Sequence, residues 1–399
     1  MVAIILAAGE SSRFWPLAKD QHKAFYSLGA GKAIIESTVE NLLGNKEIKE
    51  IIVVVSPRDS STAKELFSSN KQLKVVIKEK PTGQGDTILE AKEFITKEEP
   101  FFVTVANKIN AGEVFKKLYG AKKEAVALKT EAHLSDYGTV RLEGDKIIEV
   151  IEKPQPDQVK IPVKITSGYI LNSTFLPYLE KLSGNHYSLE LALNSYVQDH
   201  HVIGVKVDEL ENTTLKYPWH LLALNKILQK DLVAKIHPKA EVSKTAEISG
   251  PVFIEEGVKI LSFVKIVGPV YIGRNSVIGD YTSLRDNCFI GESVVVGSHS
   301  EVKNSILYNG VHTHRNFIGD SIIDEGTKVG AGTITANRRL DRKEIGPSGL
   351  TSLGVIIGKD ARVGVNVNLM PGVKIGNGAG IFPGVNVFKD VPDLETFRG

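Results

Sequence analysis

At 399 residues with a formal charge of +2, the chain has length for two or three domains and too even a charge to argue for a nucleic-acid face. A single cysteine, Cys288, excludes an intrachain disulfide framework. The opening apolar run from Val2 to Ala8 has no basic leader and is too short for a secretion signal or a membrane span, so no membrane association and a cytoplasmic location are expected. In chain order, Ala3-Ile4-Ile5-Leu6 predicts a buried strand running into the small-residue turn Ala7-Ala8-Gly9. A helix over 32–43, strand 51–55, helix 61–68, strand 73–77, helix 86–96 and strand 101–105 follow. Such alternation predicts an α/β domain with a mostly parallel sheet and ligands at the carboxyl ends of its strands. The pattern turns irregular over 125–181, a stretch containing Pro154, Pro156 and Pro162, and helices return at 189–198 and 218–232. A first domain over 1–232 and a second over 233–399 are therefore expected.

From Ile236 an aliphatic residue recurs every sixth position: Val242, Ile248, Ile254, Ile260, Ile266, Ile272, Ile278, Leu284, Ile290, Val296 and Val302. Small or apolar residues such as Ala246, Val258, Ser276 and Cys288 stand four places after many of them. Hexapeptide repeats of this kind specify a parallel β-helix in which the leading aliphatic points to the axis and three faces close a coil of about 18 residues. The run makes about four coils stacked at roughly 4.8 Å. The register breaks after Val302 and resumes at Ile357 through Val387 for about two more. Between the runs lies a segment with His312, His314, Asn337, Arg338, Arg339 and Lys343; an interruption that the scaffold does not need is where function is expected. Cys288 sits at an inward position and reads as inert core.

Two residues that follow inward aliphatics are cations where glycine is usual: Arg285 and Lys303, 18 positions and thus one coil apart. Stacked at strand spacing they repel unless an anion lies between them, which points to a phosphate site; two solvated surface cations are the alternative. His312 and His314 alternate, so both point to one side of an extended segment. A histidine suits the general base that deprotonates an attacking amine.

In the first domain Ala7-Ala8-Gly9 lets backbone approach a ligand closely, and Arg13 could hold phosphate. With Pro16-Leu17 and Lys23, this stretch resembles the signature of sugar-1-phosphate nucleotidyltransferases, as do Glu152-Lys153-Pro154 and Asp136-Tyr137-Gly138. The resemblance implies a Rossmann-like domain that binds nucleotide or sugar phosphate through Ala8, Gly9, Arg13, Lys23, Gly83 of the loop Gly83-Gln84-Gly85, Gly138 and Glu152. It also implies Mg²⁺, yet the two positions that carry metal-binding acids in that family are held by Asn107 and Thr214, and Ile77 and Thr166 stand for its base-reading and sugar-holding amides. An amide and a hydroxyl replace two anionic ligands poorly. Three readings of Gly9, Arg13 and Lys23 stay open: binding without turnover, active nucleotidyl transfer with Glu36 or Glu79 as metal acids, and a structural relic.

The second domain resembles the acetyltransferase half of bifunctional N-acetylglucosamine-1-phosphate uridyltransferase/glucosamine-1-phosphate acetyltransferases, especially the archaeal form, on Ile318-Gly319-Asp320-Ser321 and Gly330-Ala331-Gly332-Thr333-Ile334-Thr335-Ala336-Asn337. That resemblance implies a left-handed β-helix that assembles as a homotrimer, uses acetyl-CoA and acts on small molecules. It places the catalytic base at His314 and the amino-sugar-phosphate ligands at Arg285, Lys303, Asn337 and Lys343. Two family tyrosines are replaced by Phe317 and Arg338, and Gly364, Asn366, Asn368 and Gly384 are either a cofactor wall or ordinary turn residues. A regulatory subunit that binds sugar nucleotide and pairs with an active relative is the non-enzymatic alternative.

Overall fold

The computed structural model describes residues 1–97, 99–131, 137–155, 162–211, 213 and 215–399. Asp136, Pro156 and Thr214, singled out above, lie outside the described residues. The chain divides into two compact units: Met1–Glu10, Asp20–Tyr26 and Ala33–Thr214 form the first, and Ser11–Lys19, Ser27–Lys32 and Leu215–Gly399 the second. The division differs from a boundary after Leu232 because the helix His220–Leu228 and the residue just after it bond to the repeat. Asn225 donates to the Asn287 carbonyl at 2.7 Å and Gln229 to that of Cys288 at 3.1 Å. The segment Ser11–Lys19 joins the same unit through the Trp15 indole, which donates to Asp393 at 2.9 Å.

In the first unit, a sheet runs in the order Leu73–Ile77, Glu50–Val55, Val2–Ala7, Phe101–Val105, Val163–Leu171, Ala125–Thr130, Ile203–Lys206, Lys146–Glu152, Gly138–Glu143. Period-two alternation sends Ala3, Ile5 and Ala7 into one buried cluster and Ile4 and Leu6 into another, so both faces are covered. The strands at 2–7, 50–55, 73–77 and 101–105 pair in parallel. Beyond them the sheet is mixed, because Val163–Leu171 runs antiparallel to both its neighbours and Gly138–Glu143 forms an antiparallel hairpin with Lys146–Glu152. The stretch 125–181, irregular by sequence, therefore supplies four strands, with Pro154 and Pro162 between the third and the fourth. The expected helix 86–96 is shorter: Gln84–Leu89 gives way to a tighter turn at Lys92–Phe94, where Ala91 and Ile95 bond three residues back. The helices Ala111–Gly120 and Leu176–Glu180 carry no signal in our sequence reading.

The second unit is a three-sided parallel β-helix whose sheets have eight, nine and eight strands, more coils than the two repeat runs predict. Residues at the sixfold positions from Ile254 to Val302 form one buried core. Ile236 is 51% exposed because the first coil has no neighbour beneath it. The register does not break off after Val302. Ile290 pairs with Leu307 and Val302 with Ile318, so coils shorten to 17 and 16 residues but keep stacking through Leu307, Ile318, Ile323 and Val329. Only the loop between Ile334–Thr335 and Ile356–Ile357 leaves the wall. Buried hydroxyls at small inward positions close corner carbonyls: Ser276 donates to Gly291 and Thr282 to Gly297. Among the described residues no helix is long and apolar enough to cross a membrane.

Candidate functional site

The second unit brings three of its five candidates together. Arg285 and Lys303 pair in register on adjacent strands, and Lys303 pairs onward with Gly319. Their charges are not left facing each other: Arg285 holds Glu301 and Asp286, both at 2.6 Å, which corrects the argument that only a bound anion could separate the two cations. Asp320 gathers the rest of the cluster. Its carboxylate, 4% exposed, lies 3.7 Å from the Lys303 ammonium, accepts from Asn304 at 2.6 Å, and accepts a short bond from the Asn337 amide. Asp320 adopts a left-handed backbone (φ 48°) at the corner after Phe317–Gly319, which turns its carboxylate back along the coil stack. Sequence reasoning used Asp320 only to fix alignment; its neighbours along the stack, Lys303 and Asn304 one coil below, were the available signal.

His314 stands at the corner between the strands His312–Thr313 and Phe317–Gly319. Its backbone is pinned on both sides, the N–H donating to Asn316 Oδ1 at 2.8 Å and the carbonyl accepting from Ser300 Oγ at 2.6 Å. Gly297 lies directly beneath, where a Cβ would meet the His314 Cα at 2.6 Å. The imidazole is exposed, and among the described residues no hydrogen bond reaches either ring nitrogen. His312 lies beside it with ring centroids 5.1 Å apart, as alternation predicts, and its pKa is lowered first by burial and then by His314 and Lys328. Lys343 is exposed on the loop outside the wall; its backbone N–H bonds Asp341, and no described contact joins its ammonium to the cluster. Of the cofactor-wall candidates, a Cβ on Gly364 would meet the Pro383 backbone nitrogen at 2.6 Å, Asn366 holds a left-handed corner and Asn368 bonds Asn386 at 2.8 Å, so packing accounts for these three.

In the first unit Ala8 is buried at the carboxyl end of Val2–Ala7, and nothing lies within 4 Å of a Cβ built on Gly9, which leaves open space at that turn. Lys23 is half-buried in a short turn whose start is fixed by the His22 ring accepting the Ala24 N–H at 3.2 Å. Arg13 is exposed and belongs to the second unit. Gly83 is explained by packing, since a Cβ there would meet the His186 carbonyl oxygen at 2.4 Å. Gly138 and Glu152 pair across the hairpin, with the Glu152 carboxylate 3.0 Å from the Gly138 Cβ position. A nearby acid escaped the sequence reading: Glu190 has its pKa raised by burial and by Glu152.

Asn107, the described one of the two expected Mg²⁺ positions, does not fit the ion. Asn107 is neutral, and its buried neighbour Lys108 directs an ammonium to Thr166 Oγ1 at 2.9 Å. Glu36 is occupied elsewhere, accepting the Ala33 N–H at 2.7 Å to cap its own helix. Among the described residues no group of three or more acids, histidines or cysteines could hold a metal. Hard divalent cations need anionic oxygens, and a fixed ammonium repels them.

Residues 2–209 match the family described as Nucleotidyl transferase, and residues 251–286 match Bacterial transferase hexapeptide (six repeats), whose coil is left-handed. A Sulfurisphaera tokodaii protein described as a bifunctional sugar-1-phosphate nucleotidylyltransferase/acetyltransferase is 34% identical over 100% of both chains. The bifunctional protein GlmU of Methanococcus maripaludis is 36% identical, covering 94% of this chain and 92% of its own. Among solved structures, the inositol-1-phosphate CTP transferase from T. maritima shares the fold at 17% identity, with a TM-score of 0.50 over 57% of this chain and 95% of that one. With both halves matched in the same order along the full length, the chain belongs to the family of bifunctional sugar-1-phosphate nucleotidylyltransferase/acetyltransferases.

Proposed function

We propose that the second unit transfers acetyl from acetyl-CoA to the amine of an amino sugar 1-phosphate of the glucosamine type. The observation that carries the reading is the cluster of Arg285, Lys303 and Asn337 gathered around Asp320, one corner away from a histidine with both ring nitrogens free of described partners. Arg285 and Lys303 bind the phosphate, which displaces part of their carboxylate pairing, and Lys343 reaches it from an exposed loop. Asn337, oriented by Asp320, holds the sugar. His314 takes a proton from the amine as its nitrogen attacks the thioester carbonyl; the C–N bond forms, the C–S bond breaks, and coenzyme A leaves as the thiol. Homotrimer formation along the β-helix is part of the proposal, and the exposed Val365, Phe382 and Phe388 on its later coils are consistent with a covered wall.

For the first unit the proposal is binding of a phosphorylated sugar or its nucleotide, with no step routed through Mg²⁺. Free thiol measured with glucosamine 1-phosphate and acetyl-CoA tests the main claim. Release by the wild type and its loss in His314→Ala are expected, and no release from the wild type with any amino sugar phosphate sinks it. Pyrophosphate release with UTP, dTTP or GTP and Mg²⁺ is expected to be undetectable.

A further inference from the structure

Lys108 follows the strand Phe101–Val105 at the carboxyl edge of the first unit's sheet, the edge at which parallel α/β sheets bind ligands. Its side chain is 7% exposed, and its ammonium has a neutral partner, Thr166 Oγ1 at 2.9 Å. Among the described residues no carboxylate lies within ion-pair distance of it. Two further lysines stand close. Lys129 and Lys164 face each other directly across the antiparallel pairing of Ala125–Thr130 with Val163–Leu171, and Thr166 is two residues beyond Lys164 on that strand.

The two flanking lysines have oxygen partners of their own. Lys164 pairs with Glu131 at 2.7 Å and lies over the Tyr137 ring at 4.1 Å. Lys129 donates to the Leu210 carbonyl and feels the Asp208 carboxylate, which is itself held by the Thr130 N–H and hydroxyl. Among the described residues Glu131 answers Lys164, and Asp208 faces Lys206 as well as Lys129, while buried Lys108 has the neutral Thr166 hydroxyl as its partner. Burial, then Lys129 and Lys164, draws its pKa down to about 8, as a cation without a counter-ion requires. A packing role would be served by an apolar side chain without this desolvation cost. A buried ammonium with only a neutral described partner, following the strand adjacent and parallel to the one that ends in the open Gly9 turn, is instead suited to an incoming anion.

We propose that Lys108 acts as a fixed cation in place of a divalent metal, receiving the phosphate of a phosphorylated sugar in the first unit so that binding there is metal-independent. Thr166, hydrogen-bonded to Lys108, stands at the position that the family resemblance gives to a sugar-holding residue, which sets the ammonium beside the sugar. Lys164 is paired with Glu131 and Lys129 feels Asp208, so Lys108 is the cation of this group that has only a neutral partner among the described residues. The inference concerns the first unit and does not depend on acetyl transfer by the second.

Calorimetry on the full chain tests it, with N-acetylglucosamine 1-phosphate and UDP-N-acetylglucosamine as separate probes, each in EDTA and in Mg²⁺. An Arg285→Ala chain serves as the background so that the second unit's phosphate site does not contribute. The expected result is binding of at least one probe with an affinity changed less than twofold by EDTA, weakened tenfold or more by Lys108→Met, and partly kept by Lys108→Arg. The probe that binds more tightly identifies the monophosphate or the diphosphate as the physiological form. Thermal unfolding of Lys108→Met reports whether the variant folds; a melting temperature at or above that of the parent is expected, because a desolvated charge has been removed. Failure of both probes to bind in EDTA, a strict Mg²⁺ requirement, or full-strength binding by a folded Lys108→Met protein each overturns the proposal.

Discussion

Replacing Gly297 by alanine tests His314 without altering its ring. The added Cβ falls 2.6 Å from the His314 Cα and 2.8 Å from its carbonyl carbon, whereas ordinary contact begins at 3.4 Å, and both neighbours are backbone. Coil walls are close-packed, so the backbone at residue 314 must give way by about 0.8 Å. Ser300 and Asn316 hold that backbone rigidly to the coils on either side, and the imidazole is carried along with it. Misplacing a general base by about 1 Å costs about 10²-fold in rate. The thiol-release assay should therefore show kcat lowered about a hundredfold with KM for the sugar phosphate little changed, and overpacking should cost about 1–3 kcal/mol of stability. Gly273→Ala is the matched control. Its Cβ meets the Gly291 carbonyl carbon at 2.7 Å at a different corner of the coil, so the stability cost should be similar and turnover should be kept. Wild-type turnover in Gly297→Ala, or equal losses in both variants, would refute the assignment of His314 as the base.

Asp320→Ala removes the acceptor that orients Asn337 and the carboxylate facing Lys303, so KM for the amino sugar phosphate should rise about tenfold, more than kcat falls, as befits a residue acting through its neighbours; an unchanged KM would separate Asp320 from the site. His22 bears on acid stability: burial, reinforced by Lys23 and Arg58, draws its pKa from 6.5 to about 3, so the folded state keeps the ring neutral while the unfolded chain protonates it. Stability is full above pH 6.5 and falls as pH drops toward 3, by about 1.4 kcal/mol per unit at most. His22→Asn retains an acceptor for the Ala24 N–H and removes the titration, so its urea midpoint should vary less between pH 7 and 5 than that of the wild type. Cys288 is fully buried, donates to the Arg285 and Val302 carbonyls, and has its pKa pushed by burial up to about 11. Maleimide should label it slowly in the native protein and rapidly in urea; fast native labelling would mean that the coil opens there.

The β-helix was legible because one rule, an aliphatic residue every sixth position, is both a sequence pattern and the packing of its core. The rule stops being legible where faces shorten to five residues, as from Val302 to Leu307 and from Ile318 to Ile323. The physical requirement, an apolar or small hydroxyl residue on the axis, persists there, but Thr313 and Thr335 meet it without an aliphatic signal. In the first unit the strand Val163–Leu171 was hidden because its partners, Phe101–Val105 and Ala125–Thr130, lie far off in sequence, and the hairpin Gly138–Glu152 because its short strands are rich in charged residues. Candidate residues set by register, Arg285 and Lys303, were placed correctly relative to each other; the acids that neutralise them were not foreseen, because Glu301 and Asp286 meet Arg285 through side-chain reach rather than register.

The shortened coils also explain how the cluster is built. In the column Arg285, Lys303, Gly319 the third rung has no side chain, and a Cβ there would meet the Phe317 ring at 2.9 Å and the Asn337 amide nitrogen at 3.1 Å. The missing side chain leaves room for Asn337 to reach down to Asp320. A regular solenoid repeats each corner one coil higher, so a cationic column alone would extend without end and recognise nothing of defined size. Ending the column with a glycine, and bringing an amide from the next coil and a buried carboxylate into the gap, converts a repeating wall into a cluster with one top and one bottom. Gly319→Ala tests this reasoning apart from any change of charge: the Asn337 amide must yield by a few tenths of an ångström, and affinity for the sugar phosphate should fall while the buried core beneath, from Leu284 to Ile318, keeps its stability.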